Sequence, residues 1–203
     1  MTFATPEFRE VADRPGLAPD PAVRGPVPLN RYFDDLGYMH KALPGLTTGS
    51  AAAYLVQFGY VSGPDNVEGL WGENVPLAGL LFRAGDVAIA FANASDVLAR
   101  RRFTAAHELG HAVLHRDKMG ATLLDAKIEE ADGLLGPMEA EANRFAAELL
   151  MPEVVLRARA DELRAAHGCC PRVVLGYRLA SELLVSREAI GYRLKNLGVG
   201  DGE

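Results

Sequence analysis

The sequence predicts an α+β fold, a small β-sheet joined to a larger helical part, and three observations carry that expectation. Leu77 to Arg83 and Val87 to Ala92 are apolar runs separated only by Ala84-Gly85-Asp86, the pattern of two strands joined by a tight turn. Phe103 to Leu114 repeats its apolar residues at helical spacing, with no proline to break it. From Pro137 onward the chain reads as successive helices, ending in two short ones around a turn.

In chain order, residues 1–29 form a proline-rich arm of little periodicity, expected to be mobile or extended. Residues 30–60 read as helical pieces broken at Gly37, at Pro44-Gly45 and at Thr47 to Ser50. Tyr54 to Tyr60 fits either a helix end or a strand. The strand pair follows and leads through Asn93 into the long helix, with Ser95 or Asp96 as the expected N-cap. Residues 117–136, with Gly120, Gly133 and Gly136, form a linker with the character of a lid.

Residues 107–111 of the long helix read His-Glu-Leu-Gly-His. Histidines four apart lie on one face a turn from each other, so His107 and His111 can both reach one Zn²⁺. Glu108 lies about 100° around the helix from His107, where its carboxylate flanks the ion and can take a proton from a water held there. His115 lies a further turn along the same stripe, too far to share the ion with His107, and a structural role near the helix C-terminus is expected for it. Gly110 is a poor helix former, so it points to close packing against a neighbouring element.

A catalytic zinc takes a third protein ligand and leaves its fourth position to water. The segment Pro137 to Pro152 offers Glu139 and Glu141, and helical phase separates them. Ala142, Ala146, Leu149 and Leu150 fall within about 80° of Glu139, on the apolar face, whereas Glu141, Arg144 and Glu148 fall on the opposite, solvated face. A carboxylate on an apolar face is costly unless paired or bound to metal, which selects Glu139. Asn143, one turn along, is placed to hold that carboxylate.

Arg102-Phe103-Thr104-x-Ala106-His-Glu-Leu-Gly-His111-x-x-Leu114-His115, followed by Glu139-x-x-x-Asn143-x-Phe145-Ala146-x-x-Leu149-Leu150-Met151-Pro152, resembles the ImmA/IrrE family of zinc metallopeptidases. The resemblance spans roughly Pro76 to Pro152 and, more loosely, the helices beyond. It implies a zincin-like, gluzincin-type core over 30–152, with His107, His111 and Glu139 as zinc ligands and Glu108 as general base, and a helical, helix-turn-helix-like subdomain over 153–203. It also implies a protein partner as substrate: a helix-turn-helix repressor, or a toxin-like effector encoded nearby, in a stress, mobile-element or defence switch. In zincins an edge strand above the metal takes the substrate backbone by strand addition, and Val87 to Ala92 is the candidate. An oxyanion donor is expected too, with Tyr177, Tyr192 and His167 as candidates between which the sequence does not choose.

Composition narrows the alternatives. Hydrophobic residues make up 49% of the chain, ample for a packed core. No run approaches the roughly 18 apolar residues of a membrane span. Glu7, Arg9, Glu10 and Asp13 stand where a signal peptide would be apolar, and the two cysteines are the adjacent Cys169 and Cys170, so a reducing cytoplasm is expected. The net charge of −6 disfavours a general nucleic-acid coat. Around the last turn Arg172, Arg178, Arg187, Arg193 and Lys195 face only Glu182 and Glu188, a modest local excess of positive charge. Ser186 is the expected N-cap of the final helix, whereas Leu184 stands where helix-turn-helix motifs favour glycine. A bundle supporting a peptidase is therefore favoured over DNA binding. The rival functions are a DNA-binding regulator and a module that binds its partner without cutting it, each with zinc as scaffold.

Overall fold

A computed structural model describes residues 6–12, 18–63, 74–116 and 136–200. The expected strand pair forms as β2 (Gly79–Ala84) and β3 (Val87–Asn93), antiparallel and joined at Gly85, whose φ of 57° suits a residue with no Cβ. A third strand, β1 (Met39–Leu43), was not among the sequence expectations. It pairs in parallel with β3, Met39 opposite Ile89, so the sheet order is β1-β3-β2. Its sequence, Met-His-Lys-Ala-Leu, is mostly exposed or half-buried and carries no apolar alternation to betray it. The consequence is a correction: Val87 to Ala92 lies in the centre of the sheet, hydrogen-bonded on both sides, and cannot add a further strand.

The two faces of the sheet separate by the period of two that strands impose. Leu80, Phe82, Ile89 and Phe91 project to one side, against Ala51, Ala52 and Leu55 of α3 (Thr48–Gln57). Helix α3 starts at a reciprocal cap in which Thr47 and Ser50 satisfy each other's backbone N–H groups. Tyr54 belongs to this helix and Tyr60 to the turn after it, which decides that segment as a helix end. Leu81 and Ala90 project to the other side, onto Ala105, Ala106 and Leu109 of α4 (Leu98–Leu114).

Helix α4 begins one or two residues later than expected. Val97 is its N-cap and gives no side-chain cap, because the Ser95 hydroxyl accepts instead from Gly45 N–H at 3.0 Å and Asp96 pairs with Arg100 at 3.3 Å. Helix α5 (Pro137–Leu150) carries proline in its first turn, where the missing N–H costs nothing. It packs closely on α4: a Cβ added at Gly110 would stand 3.1 Å from Phe145 and 3.2 Å from Ala142, which accounts for glycine in mid-helix.

Helices α6 (Glu153–His167), α7 (Arg172–Leu183) and α8 (Arg187–Leu197) follow. Their apolar residues Leu156, Leu163, Leu175, Leu179, Ile190 and Leu194 are continuous with those of α4 and α5 in one core. The segment 1–29 carries a helix, α1 (Pro6–Ala12), which buries Val11 and Ala12 and sets Phe8 edge-on to Phe145 at 5.3 Å. Helix α2 (Leu29–Leu36) adds Tyr32 and Phe33 to the same core and ends at Gly37 in the left-handed conformation. Residues 117–135, the greater part of the expected lid, lie outside the described residues.

Candidate metal centre

The helical spacing of α4 puts His107 and His111 one turn apart, and α5 brings Glu139, near its own start, opposite both. The Nε2 atoms of the two histidines stand 3.0 Å apart. Glu139 meets His107 Nε2 with one oxygen at 3.1 Å and His111 Nε2 with the other at 3.0 Å. These three residues form the group among the described residues that could hold a metal ion.

The outward ring nitrogens are also occupied. His107 Nδ1 lies 3.0 Å from Asn143 Oδ1, so Asn143 meets His107 and not the Glu139 carboxylate for which helical spacing suggested it. One helical turn separates Asn143 from Glu139, which places the amide beside the back of the ring rather than beside the carboxylate. His111 Nδ1 lies 3.0 Å from His115 Nδ1, and His115 Nε2 lies 2.9 Å from Glu141 Oε2. His115 is therefore turned away from the triad, on the far side of the His111 ring.

Glu148 needs a second correction. Assigned by helical phase to a solvated face, it is 7% exposed and faces Arg193 of α8 at 3.8 Å. The helices packed beyond α5 cover a face that would be open on α5 alone.

Electrostatics follow from this packing. Burial pushes the Glu108 carboxyl up to about 7; Glu139 adds to the rise and His107 opposes it. Burial, with His107 alongside, lowers His111 to about 4 and so favours its neutral ring. Burial also lowers His107, but the Glu139 hydrogen bond and the Glu108 and Glu139 charges outweigh it and leave that ring raised. Glu139 is lowered, chiefly by its hydrogen bond with His107.

These residues fit a metal. Nitrogen and oxygen ligands about 2.0–2.1 Å from a zinc stand roughly 3.4 Å from one another in a tetrahedron, close to the separations here. With Asn143 Oδ1 accepting from His107 Nδ1–H, the lone pair on His107 Nε2 points at those of His111 and Glu139. A cation resolves that convergence of electron-rich atoms. The buried Oε2 of Glu108 has no hydrogen-bond partner among the described residues, leaving an acceptor ready for a small ligand.

Two features went unseen in the sequence. Gly79, at the start of β2, lies so close to Glu108 that an added Cβ would stand 2.6 Å from Oε1, and it would also run into the Thr104 methyl. An isolated glycine in a strand pattern is a signal of close approach, and Gly79 was there to be read. The Glu141–His115 contact joins residues 26 apart and has no periodic signature. Of the oxyanion candidates, Tyr177, Tyr192 and His167 are all exposed, and the Arg187 guanidinium lies over the Tyr177 ring, 3.9 Å from its centre.

The family model for the IrrE N-terminal-like domain, Peptidase_M78, matches residues 88–195, from β3 through α8. No curated protein matches the chain. Among the described residues, no helix is long and apolar enough to cross a membrane.

Proposed function

This chain belongs to the ImmA/IrrE family, and we propose that it is a zinc-dependent endopeptidase, with a zincin-like core, that cleaves a specific protein partner. The observation that carries the reading is the convergence of His107 Nε2, His111 Nε2 and both Glu139 oxygens within 3.0–3.1 Å, beside the unpartnered buried oxygen of Glu108. His107, His111 and Glu139 would hold the ion. A bound zinc supplies a Lewis acid for the scissile carbonyl and makes a nearby water more acidic.

Glu108 is the base that takes the proton from the attacking water and then hands it to the leaving amine. Burial raises the Glu108 carboxyl, and the positive charge of a bound ion would draw it back toward the carboxylate form that a base needs. Strand β2 is the edge strand beside Glu108, with Gly79 against it, and we assign to it the substrate contact by strand addition. Helices α7 and α8 support or present the substrate. A cytoplasmic helix-turn-helix repressor or toxin-like effector is the partner this reading favours.

Substituting Glu108 tests the reading. Glu108→Gln should keep about one divalent ion per chain and lose at least about 100-fold in cleavage rate. Cells expressing the wild type should then show a new N-terminus in one protein that is missing from cells expressing the variant. Undiminished cellular function of Glu108→Gln would replace the peptidase reading with partner binding alone.

A further inference from the structure

We propose that Glu141, acting through His115, is a positioning residue for His111: a carboxylate–imidazole–imidazole chain that fixes the tautomer and tilt of one metal ligand. The inference rests on His111 being a ligand, and goes beyond it by assigning work to two residues outside the triad.

Hydrogen-bond direction makes the case. A histidine that offers the Nε2 lone pair to a metal must carry its proton on Nδ1. His111 Nδ1–H then points at His115 Nδ1, 3.0 Å away, which can only accept. An imidazole accepting at Nδ1 is protonated at Nε2, and that N–H meets Glu141 Oε2 at 2.9 Å. Every proton in the chain is assigned by its neighbour, and all point away from the triad toward the carboxylate. The opposite polarity would put a proton on His111 Nε2, where the ion must sit. A neutral His115 with no anion behind it would choose freely between its tautomers, and half of that choice leaves His111 facing another N–H.

Burial strengthens the argument. With Glu141 in place the His115 side chain is wholly buried, so Glu141, itself half-exposed, is the group that its far nitrogen meets. The two ligands are thus held differently, His107 by the neutral amide of Asn143 and His111 by an anion acting through a ring. A staple that merely tied the end of α4 to the start of α5 would need neither the Nδ1–Nδ1 contact nor a carboxylate.

The test is zinc affinity, measured by competition with a chelator, on wild type, Glu141→Ala, Glu141→Gln and His111→Ala. Glu141→Ala should bind zinc roughly 10- to 100-fold more weakly, as loss of an outer partner of a ligand histidine does. Glu141→Gln keeps an acceptor oxygen and should recover part of that loss. The metal-free wild type and Glu141 variants should melt within a few degrees of one another, because in these a half-exposed side chain is being changed. Nitrogen-15 imidazole spectra of the zinc-loaded wild type should show His115 protonated at Nε2, and that signal should lose its single tautomer in Glu141→Ala. Zinc binding by Glu141→Ala within roughly twofold of wild type, with His111→Ala defective, overturns the positioning role alone. Wild-type affinity in His111→Ala overturns the ligand assignment and the positioning role together.

Discussion

At the scale of single residues, the tightest constraint on the site comes from an atom that is missing. Gly79 has no Cβ, and the space is taken by the Thr104 methyl and Glu108 Oε1, with the Phe91 carbonyl oxygen 3.2 Å from where a Cβ would stand. Backbone on one side and the proposed base on the other leave little room to yield. Gly79→Ala should keep its metal, since none of the three ligands is touched, yet lose most of its cleavage because Glu108 must rotate away. Adding Thr104→Ser removes the obstructing methyl and should restore part of the rate. Metal content and cleavage rate measured side by side check this; full activity in Gly79→Ala would show that Glu108 does not work from the position seen here. The triad itself could be read from the sequence because one helical period fixes His107 against His111 and another sorts Glu139 from Glu141. Gly79 was legible as a point of close approach, but what it approaches, like the contacts of His115 and Asn143, depends on which elements meet, which no period along one segment reports.

At the scale of elements, the turn between α7 and α8 holds Leu184 in the left-handed region, φ 53° and ψ 49°, the one such non-glycine residue among those described. That conformation costs a branched residue about 1–2 kcal/mol. The side chain is 37% exposed, so the packing it does make offsets only part of that cost. Leu184→Gly should stabilise the protein by up to about 1 kcal/mol once the greater freedom of glycine in the unfolded chain is deducted, or roughly 2–4 °C in melting temperature. Leu184→Ala, still strained, should gain nothing, and a lower melting temperature for the glycine variant would mean that the side chain packs more usefully than its exposure suggests. The sequence pointed to this position, because glycine is what such turns prefer. It was less informative about the sheet. Strand β1 is short, buries none of its side chains fully and hydrogen-bonds along one side, so its existence depends on β3 as a template, and without β1 in view β3 looked like an edge.

At the scale of the whole molecule, one buried cation ties the segment before α2 to α6 and α7. Arg159 of α6 is 5% exposed. It donates to the carbonyls of Pro21 and Val23 at 2.8 and 3.0 Å, to Glu182 of α7 at 2.8 Å, and to Glu162 at 3.1 Å. Arg102 of α4 adds a bond to the Val27 carbonyl at 2.9 Å, so the segment leading into α2 is held by arginines from both parts of the helical core. Proline-rich composition made this stretch look extended; what holds it is a pair of donors far away in sequence. Arg159→Met keeps much of the apolar stem but strands two carbonyls and leaves the Glu182 carboxylate only the longer Arg24 contact at 3.7 Å, at a cost on the order of 2–3 kcal/mol. The expected fall in melting temperature is roughly 5–10 °C, with faster proteolytic cutting between residues 18 and 28. Arg159→Lys should recover only part of this, because one ammonium cannot span the fork that guanidinium fills. Arg24→Ala is the contrast: its pair with Glu162 is 2.7 Å long but 59% and 49% exposed, and water screens such pairs to near neutrality. Equal melting temperatures for Arg159→Met and Arg24→Ala would mean that the N-terminal segment is not what Arg159 holds in place.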